Sequence, residues 1–124
     1  MSKAMKFNGI DVTNMLTPAG YVVEYVSVQG DNGGSTKSGS YVEDEIAVKA
    51  VIKAFFRPLN ESDLSALLSN IYSYVYVSVY YFDPKTNAYR TITARRTVSS
   101  QKYRGKGADG KEYWTGTVVT LTEN

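Results

Sequence analysis

Apolar and polar positions alternate most clearly between Ile46 and Arg57. Ile46, Val48, Ala50, Ile52, Ala54 and Phe56 recur at every second residue and share one face of a strand. Lys49, Lys53 and Arg57 take the other face, with Val51 and Phe55 among them. Pro58 has no N–H for a ladder and biases Arg57 toward extended backbone, so the strand is expected to stop at an Arg57-Pro58-Leu59-Asn60 corner. The period then changes. Asn60 is placed to cap a helix, Glu61 and Asp63 lie in the first turn where negative charge suits the helix dipole, and Leu64, Leu67, Leu68 and Ile71 follow at i, i+3, i+4 and i+7 as one apolar stripe.

The flanking segments read as further strands. Met5 to Val12 predicts a short hairpin turning at Asn8-Gly9. Thr17-Pro18-Ala19-Gly20 is expected to break the chain before a strand over Tyr21 to Gln29. In that strand Val22, Val26 and Val28 share a face with Glu24, opposite Tyr21, Val23 and Tyr25. Gly30 to Ser40 holds four glycines among serine, threonine, asparagine and one lysine. Such a segment buries too little apolar surface to offset its ordering entropy, so residues 30–40 are expected to form a mobile loop.

Tyr74 to Phe82 alternates with both faces apolar or amphipathic, which predicts a strand covered on both sides. Asp83-Pro84-Lys85-Thr86-Asn87 is a turn, and Tyr89 to Val98 returns as its hairpin partner. On that strand Arg90, Ile92, Ala94, Arg96 and Val98 share one face, and Tyr89, the threonines and Arg95 the other. A polar loop over Ser99 to Gly110 is expected before a last strand, Glu112 to Thr122, which carries Trp114. About six strands and one helix without βαβ alternation predict a mainly β protein. The expected form is an antiparallel split barrel or sandwich with one helix packed against it, in a single domain over residues 1–124.

Composition narrows the chemistry. The chain has 124 residues, no cysteine and no histidine. That removes disulfides, thiolate metal sites, the commonest general base and the commonest metal ligand. No Ser–His or Cys–His constellation can be assembled, so neither catalysis nor a cofactor is expected. The start has no apolar h-region, and no run approaches the roughly 20 apolar residues of a membrane helix, so a soluble protein is expected. The formal charge of +2 is unevenly spread, because residues 85–111 hold eight basic side chains against Asp109 alone. That stretch is either a solvated face or a patch for an acidic partner. Eleven tyrosines add a residue type that suits both strands and protein interfaces.

Two glycine-rich stretches invite phosphate-binding readings and fail them. Gly105-Lys106-Gly107-Ala108-Asp109-Gly110 matches G-x-G-x-x-G but opens a strand through Tyr113 and Trp114, not a helix, so a hairpin loop is the better account. Gly30 to Lys37 lacks the spacing of a phosphate loop. In the acidic run Glu43-Asp44-Glu45 only Glu43 and Glu45 share a strand face, which favours a solvated or interface role over acid–base or cation chemistry. The arginines of the 90s hairpin with Tyr89 and Tyr103 suggest nucleic acid by charge and stacking, but no recognition motif accompanies them. Trp114 is either a core residue under the helix or a stacking platform for a ligand.

Met5-Lys6-Phe7-Asn8-Gly9-Ile10-Asp11-Val12 is similar to the opening of many small tail proteins of tailed bacteriophages and prophages. The glycine-rich loop, the Phe56-Arg57-Pro58-Leu59 corner, the Asp63-Leu64-Ser65-Ala66-Leu67-Leu68 helix, the Tyr80-Tyr81-Phe82-Asp83-Pro84 turn and the closing Trp114-Thr115-Gly116 strand extend the likeness over nearly the whole chain. Together they resemble an uncharacterised family of short prophage proteins and, through it, the tail-tube and distal-tail fold. The resemblance implies a non-enzymatic virion component that assembles as a ring, six copies in that fold, or docks to other tail proteins. It also implies a place in the virion tail, and in the host cytoplasm before assembly, with residues 30–40 as a loop that orders on assembly. Glu43, Glu45, Arg90, Arg95, Arg96 and Tyr103 are the candidate interface residues, with opposite charges setting register between copies. No membrane partner is implied and nucleic acid is not favoured. The alternative is a small carbohydrate- or nucleic-acid-binding module that uses Trp114 and surface tyrosines.

Overall fold

A computed structural model of the chain describes residues 3–29, 34–35, 41–42 and 45–124, with side chains over 3–27 and 48–124. Strands β1 (Lys6–Phe7) and β2 (Ile10–Asp11) form the expected hairpin. Asn8 and Gly9 adopt φ of 53° and 84°, the left-handed pair that an Asn-Gly turn requires. A 3-10 turn at Thr13–Met15 leads into β3 (Leu16–Gln29). Two short strands, β4 (Gly34–Ser35) and β5 (Tyr41–Val42), pair with each other. Then come β6 (Glu45–Phe56), β7 (Leu59–Asn60) and helix α1 (Glu61–Ile71). The chain continues through β8 (Tyr76–Asp83), β9 (Ala88–Val98), β10 (Lys102–Lys106), β11 (Glu112–Thr115) and β12 (Val118–Glu123).

Seven strands make one curled antiparallel sheet in the order β2-β1-β8-β9-β12-β6-β3, a half-barrel. A small second sheet, β10-β11-β7, carries the corner residues Leu59 and Asn60 beside Trp114 and Tyr113. The mainly β split-barrel architecture with one helix is therefore the fold of the described residues.

The core follows the two-residue period. Ala50, Ile52, Ala54 and Phe56 of β6 face inward with Val77, Val79 and Tyr81 of β8, Ile92 and Ala94 of β9, and Val119 and Leu121 of β12. On β3 the inward residues are Tyr21, Val23 and Tyr25, which register with Ala54, Ile52 and Ala50. Small alanines opposite the tyrosines leave room for the rings to cross the open side of the half-barrel. The Tyr21 hydroxyl accepts the Phe82 N–H at 2.8 Å and donates to the Ala4 carbonyl at 3.1 Å, so β3 reaches the far side through its side chains.

Helix α1 closes one flank as its pattern dictates. The Asn60 side chain accepts the Asp63 N–H at 2.8 Å, and Leu64, Leu67 and Ile71 are buried while Leu68 is half-buried. At the other end, the Asn70 amide donates to the Phe7 carbonyl and the Asn8 amide donates to the Asn70 carbonyl, which fastens the helix to the first hairpin. No helix among the described residues is long and apolar enough to cross a membrane.

Four boundaries differ from expectation. Pro18 and Gly20 do not end a segment but sit inside β3, at a register shift between Leu16 and Tyr21. An edge strand loses no ladder bond to proline, and Gly20 at φ 74° supplies the bulge. The last strand is two strands in different sheets, split at Gly116 (φ 84°), where the Ser99 hydroxyl donates to the Gly116 carbonyl and accepts the Val118 N–H. Within the expected 99–110 loop, β10 pairs with β11 around a turn at the second glycine cluster. Fourth, the strand after the helix starts at Tyr76 rather than Tyr74, and only its inner face is fully buried.

The N-cap lends itself to a direct test. Asn60→Ala leaves the Asp63 N–H without its partner and is expected to cost about 1 kcal/mol, read as a lower urea midpoint at unchanged slope.

Candidate functional site

The inward face of the sheet ends in charge. Asp83 continues the phase of Val77, Val79 and Tyr81 on β8 and is fully buried, and Arg90 continues the phase of Ile92 and Ala94 on β9. The hairpin register sets Arg90 opposite Tyr81, one step from Asp83. Arg90 Nη1 lies 3.0 Å from Asp83 Oδ2, and Nη2 lies 3.2 Å from Glu123 Oε2 on β12. The other Asp83 oxygen accepts the Tyr25 hydroxyl from β3 and the Lys85 N–H at 3.0 Å. The other Glu123 oxygen accepts the Ala50 N–H of β6 at 2.9 Å. Side chains of β3, β8, β9 and β12 and the backbone of β6 thus meet in one network at the end of the half-barrel.

Its electrostatics follow from those contacts. Burial would raise the Asp83 carboxyl, but hydrogen bonds from Tyr25, Arg90 and the Lys85 N–H outweigh it and hold the group below the usual carboxylate range. Tyr81 is pushed up to about 12, chiefly by burial, with Arg90 opposing and the two carboxylates adding to the rise. Its hydroxyl is buried without a hydrogen-bond partner. Both carboxylates are engaged by donors, so the network cross-links strands more than it offers a free base.

The expected interface residues whose side chains are described lie in different settings. Arg90 is committed to the internal network. Arg96, on the same face of β9, donates through Nη1 to the carbonyls of Tyr74 and Val75, both at 2.8 Å, and its guanidinium lies 4.5 Å above the Tyr72 ring. Arg95 points outward beside Tyr76 and carries no ion pair among the described residues. Tyr103, on β10, packs edge-on to Trp114 and donates to Glu112 at 2.6 Å. Trp114 is half-buried at the rim of a groove beside α1, with Nε1–H donating to Glu61 at 3.1 Å. Glu43 lies outside the described residues, as does the side chain of Glu45, whose backbone opens β6 opposite Gln29. Most of the 30–40 loop also lies outside them.

Two features escaped the linear pattern. Asp83 reads as a turn residue, yet a carboxylate in phase with an apolar stripe, next to an arginine in phase with its partner strand's stripe, is the signal of a buried pair. The second feature is the segment leaving α1. Tyr72, Tyr74 and Val75 are 54%, 65% and 69% exposed, a dense apolar display that strand periodicity alone assigns to a covered element.

The network predicts two substitutions of opposite sign. Asp83→Asn leaves Arg90 only Glu123 and is expected to cost about 2 kcal/mol at neutral pH. Because the folded carboxyl sits below its unfolded value, that stability is present above about pH 4 and fades as pH falls through the folded value. The acid limb of stability against pH should therefore be shallower in the variant. Tyr81→Phe removes an unpartnered buried hydroxyl and is expected to stabilise by about 1 kcal/mol. It should also flatten the alkaline loss of stability, which in the parent sets in near pH 10 and continues to about 12. Urea titrations across pH read both effects.

Comparison of the chain with protein-family models, with curated proteins and with solved structures finds no match.

Proposed function

We propose that this chain is a non-enzymatic structural subunit of a phage or prophage tail, of the tube, distal-tail or completion type, which assembles with itself or docks to neighbouring tail proteins. The reading is supported by the resemblance of its motifs and by a split barrel carrying one helix.

The observation that carries it is an overhanging β-ribbon. β12 pairs with β6 only from Val51 to Phe55, whereas β3 pairs with β6 as far as Glu45. Val26, Ser27, Val28 and Gln29 therefore register with Lys49, Val48, Ala47 and Glu45 in a stretch only two strands wide. At about 3.4 Å per residue, that reaches some 15 Å past the body. Its outward residue Val26 is about half exposed, and the Ala50 N–H at its root is capped by Glu123 instead of a strand. A two-stranded arm stabilises itself poorly, and contact with a neighbouring subunit supplies the packing it lacks.

Light scattering coupled to size-exclusion chromatography, over a range of protein and salt concentrations, tests the reading. A discrete multi-subunit species, with rings or tubes in negative-stain images, is expected. A monomer under every condition, with no ring or tube, would remove self-assembly and shift the reading to an adaptor that docks to other tail proteins or to a small binding module. Shortening the arm by deleting residues 28–46 and joining its strands with a short turn should reduce assembly while leaving the folded body intact.

A further inference from the structure

Resting on the reading of the chain as a self-assembling subunit, we infer that the exposed side of α1 and the segment leaving it form a self-complementary surface. Two copies dock on it reciprocally, about a two-fold axis.

The first half of the surface is a knob. Tyr72, Tyr74 and Val75 stand out at the helix exit, with Tyr76 beside them. The knob is held rigidly by Arg96, which takes two successive carbonyls and covers the Tyr72 ring. The backbone of Tyr72 donates to Leu68, and the Ser73 hydroxyl donates to the Ser69 carbonyl at 2.6 Å. A knob already fixed in shape loses little conformational freedom on docking. Exposed tyrosines on such a support are also the residue type that dominates interface energetics.

The second half is the groove. Leu64, Leu68 and Trp114 line an open depression of about 340 Å³ whose polar rim includes Glu61, Ser65 and Ser69. Leu64, Leu68 and Tyr72 are spaced by four residues, so groove and knob lie end to end along one ridge of α1. A knob and a groove on distant faces would build a head-to-tail chain of copies. Side by side, they are satisfied in pairs by a two-fold axis between antiparallel helices, each knob filling the other groove.

Charge selects the same arrangement. Glu61, Asp63 and Glu112 outnumber Lys111 at the groove end of the ridge, and Arg95 and Arg96 lie at the knob end. Antiparallel stacking sets the acidic end of one copy against the basic end of the other, and Arg95, without an ion pair among the described residues, gains one. Parallel stacking would set like charges together. The occupant favoured by these features is therefore a second copy of this chain.

The absence of cysteine makes cross-linking a clean test. Ser65→Cys marks the groove and Ser73→Cys the foot of the knob, and both serines are exposed, so neither change removes an apolar contact. Mixed and mildly oxidised, differently tagged versions of the two variants should yield the 65–73 disulfide as the main product. Tyr74→Ser with Val75→Ser should weaken the dimer by about 100-fold, and Arg95→Glu should weaken it less and mainly at low salt. Assemblies that form without the 65–73 cross-link, and whose mass is unaffected by the Tyr74 and Val75 substitutions, would overturn this surface while leaving the subunit reading standing. A monomer throughout, with no cross-link, would overturn both this surface and self-assembly.

Discussion

A curled sheet of seven strands that stops short of closing must still bring its ends together, and in this protein side chains do that work. Arg90 is the central piece. It joins Asp83 on its own hairpin to Glu123 on the other neighbouring strand, while Asp83 takes the Tyr25 hydroxyl and Glu123 takes a backbone N–H of β6. Burying Asp83 costs desolvation that the guanidinium and the surrounding donors offset, and removing one partner would leave a charge poorly satisfied. The bonds are directional, so they specify curvature and strand placement where apolar packing alone would tolerate variation. Tyr21 repeats the device four residues from Tyr25 on β3, with a hydroxyl that both donates and accepts across the open side.

Closing by side chains leaves edges, and the chain treats them differently. β2 is two residues long. β10 carries Lys102, Arg104 and Lys106 and a bulge between Tyr103 and Gly105, features that discourage pairing. β3 is bulged near its start by Pro18 and Gly20, but from Tyr21 to Gln29 it runs without proline, glycine or lysine, and its Glu24 is met by Lys53 at 3.5 Å. The long edge and the overhanging ribbon thus coincide, which fits an element kept available for a neighbour.

Arginines that look alike along β9 do three different jobs. Arg90 holds the barrel end, Arg96 holds the helix exit, and Arg95 faces solvent. Their separation comes from the two-residue period, which sets Arg90 and Arg96 on the inward face on either side of Ile92 and Ala94 and Arg95 on the other face. Assembly, in the reading proposed above, then depends on Arg96 through the shape of the tyrosine knob and on Arg95 through charge.

The β6–corner–α1 unit was legible from the chain alone, because alternation, Pro58, the Asn60 cap and the leucine spacing are local rules that agree with one another. The Asn8-Gly9 hairpin and the faces of β3 and β9 were legible for the same reason. What local rules could not determine is which elements become neighbours. Pro18 reads as a break until β3 is known to be an edge, where a missing N–H costs nothing. Glu112 to Thr122 reads as one strand until Ser99 is seen to stitch a corner at Gly116 between two sheets. Asp83 reads as a turn residue, and its role depends on Tyr25 and Glu123, which lie 58 and 40 positions away in the chain. Residue type and spacing therefore determined most of the elements and the alternation of their faces. Tertiary structure decided the charged network and the exposed helix exit, because burial and partnership are set by contacts between segments that no local period encodes.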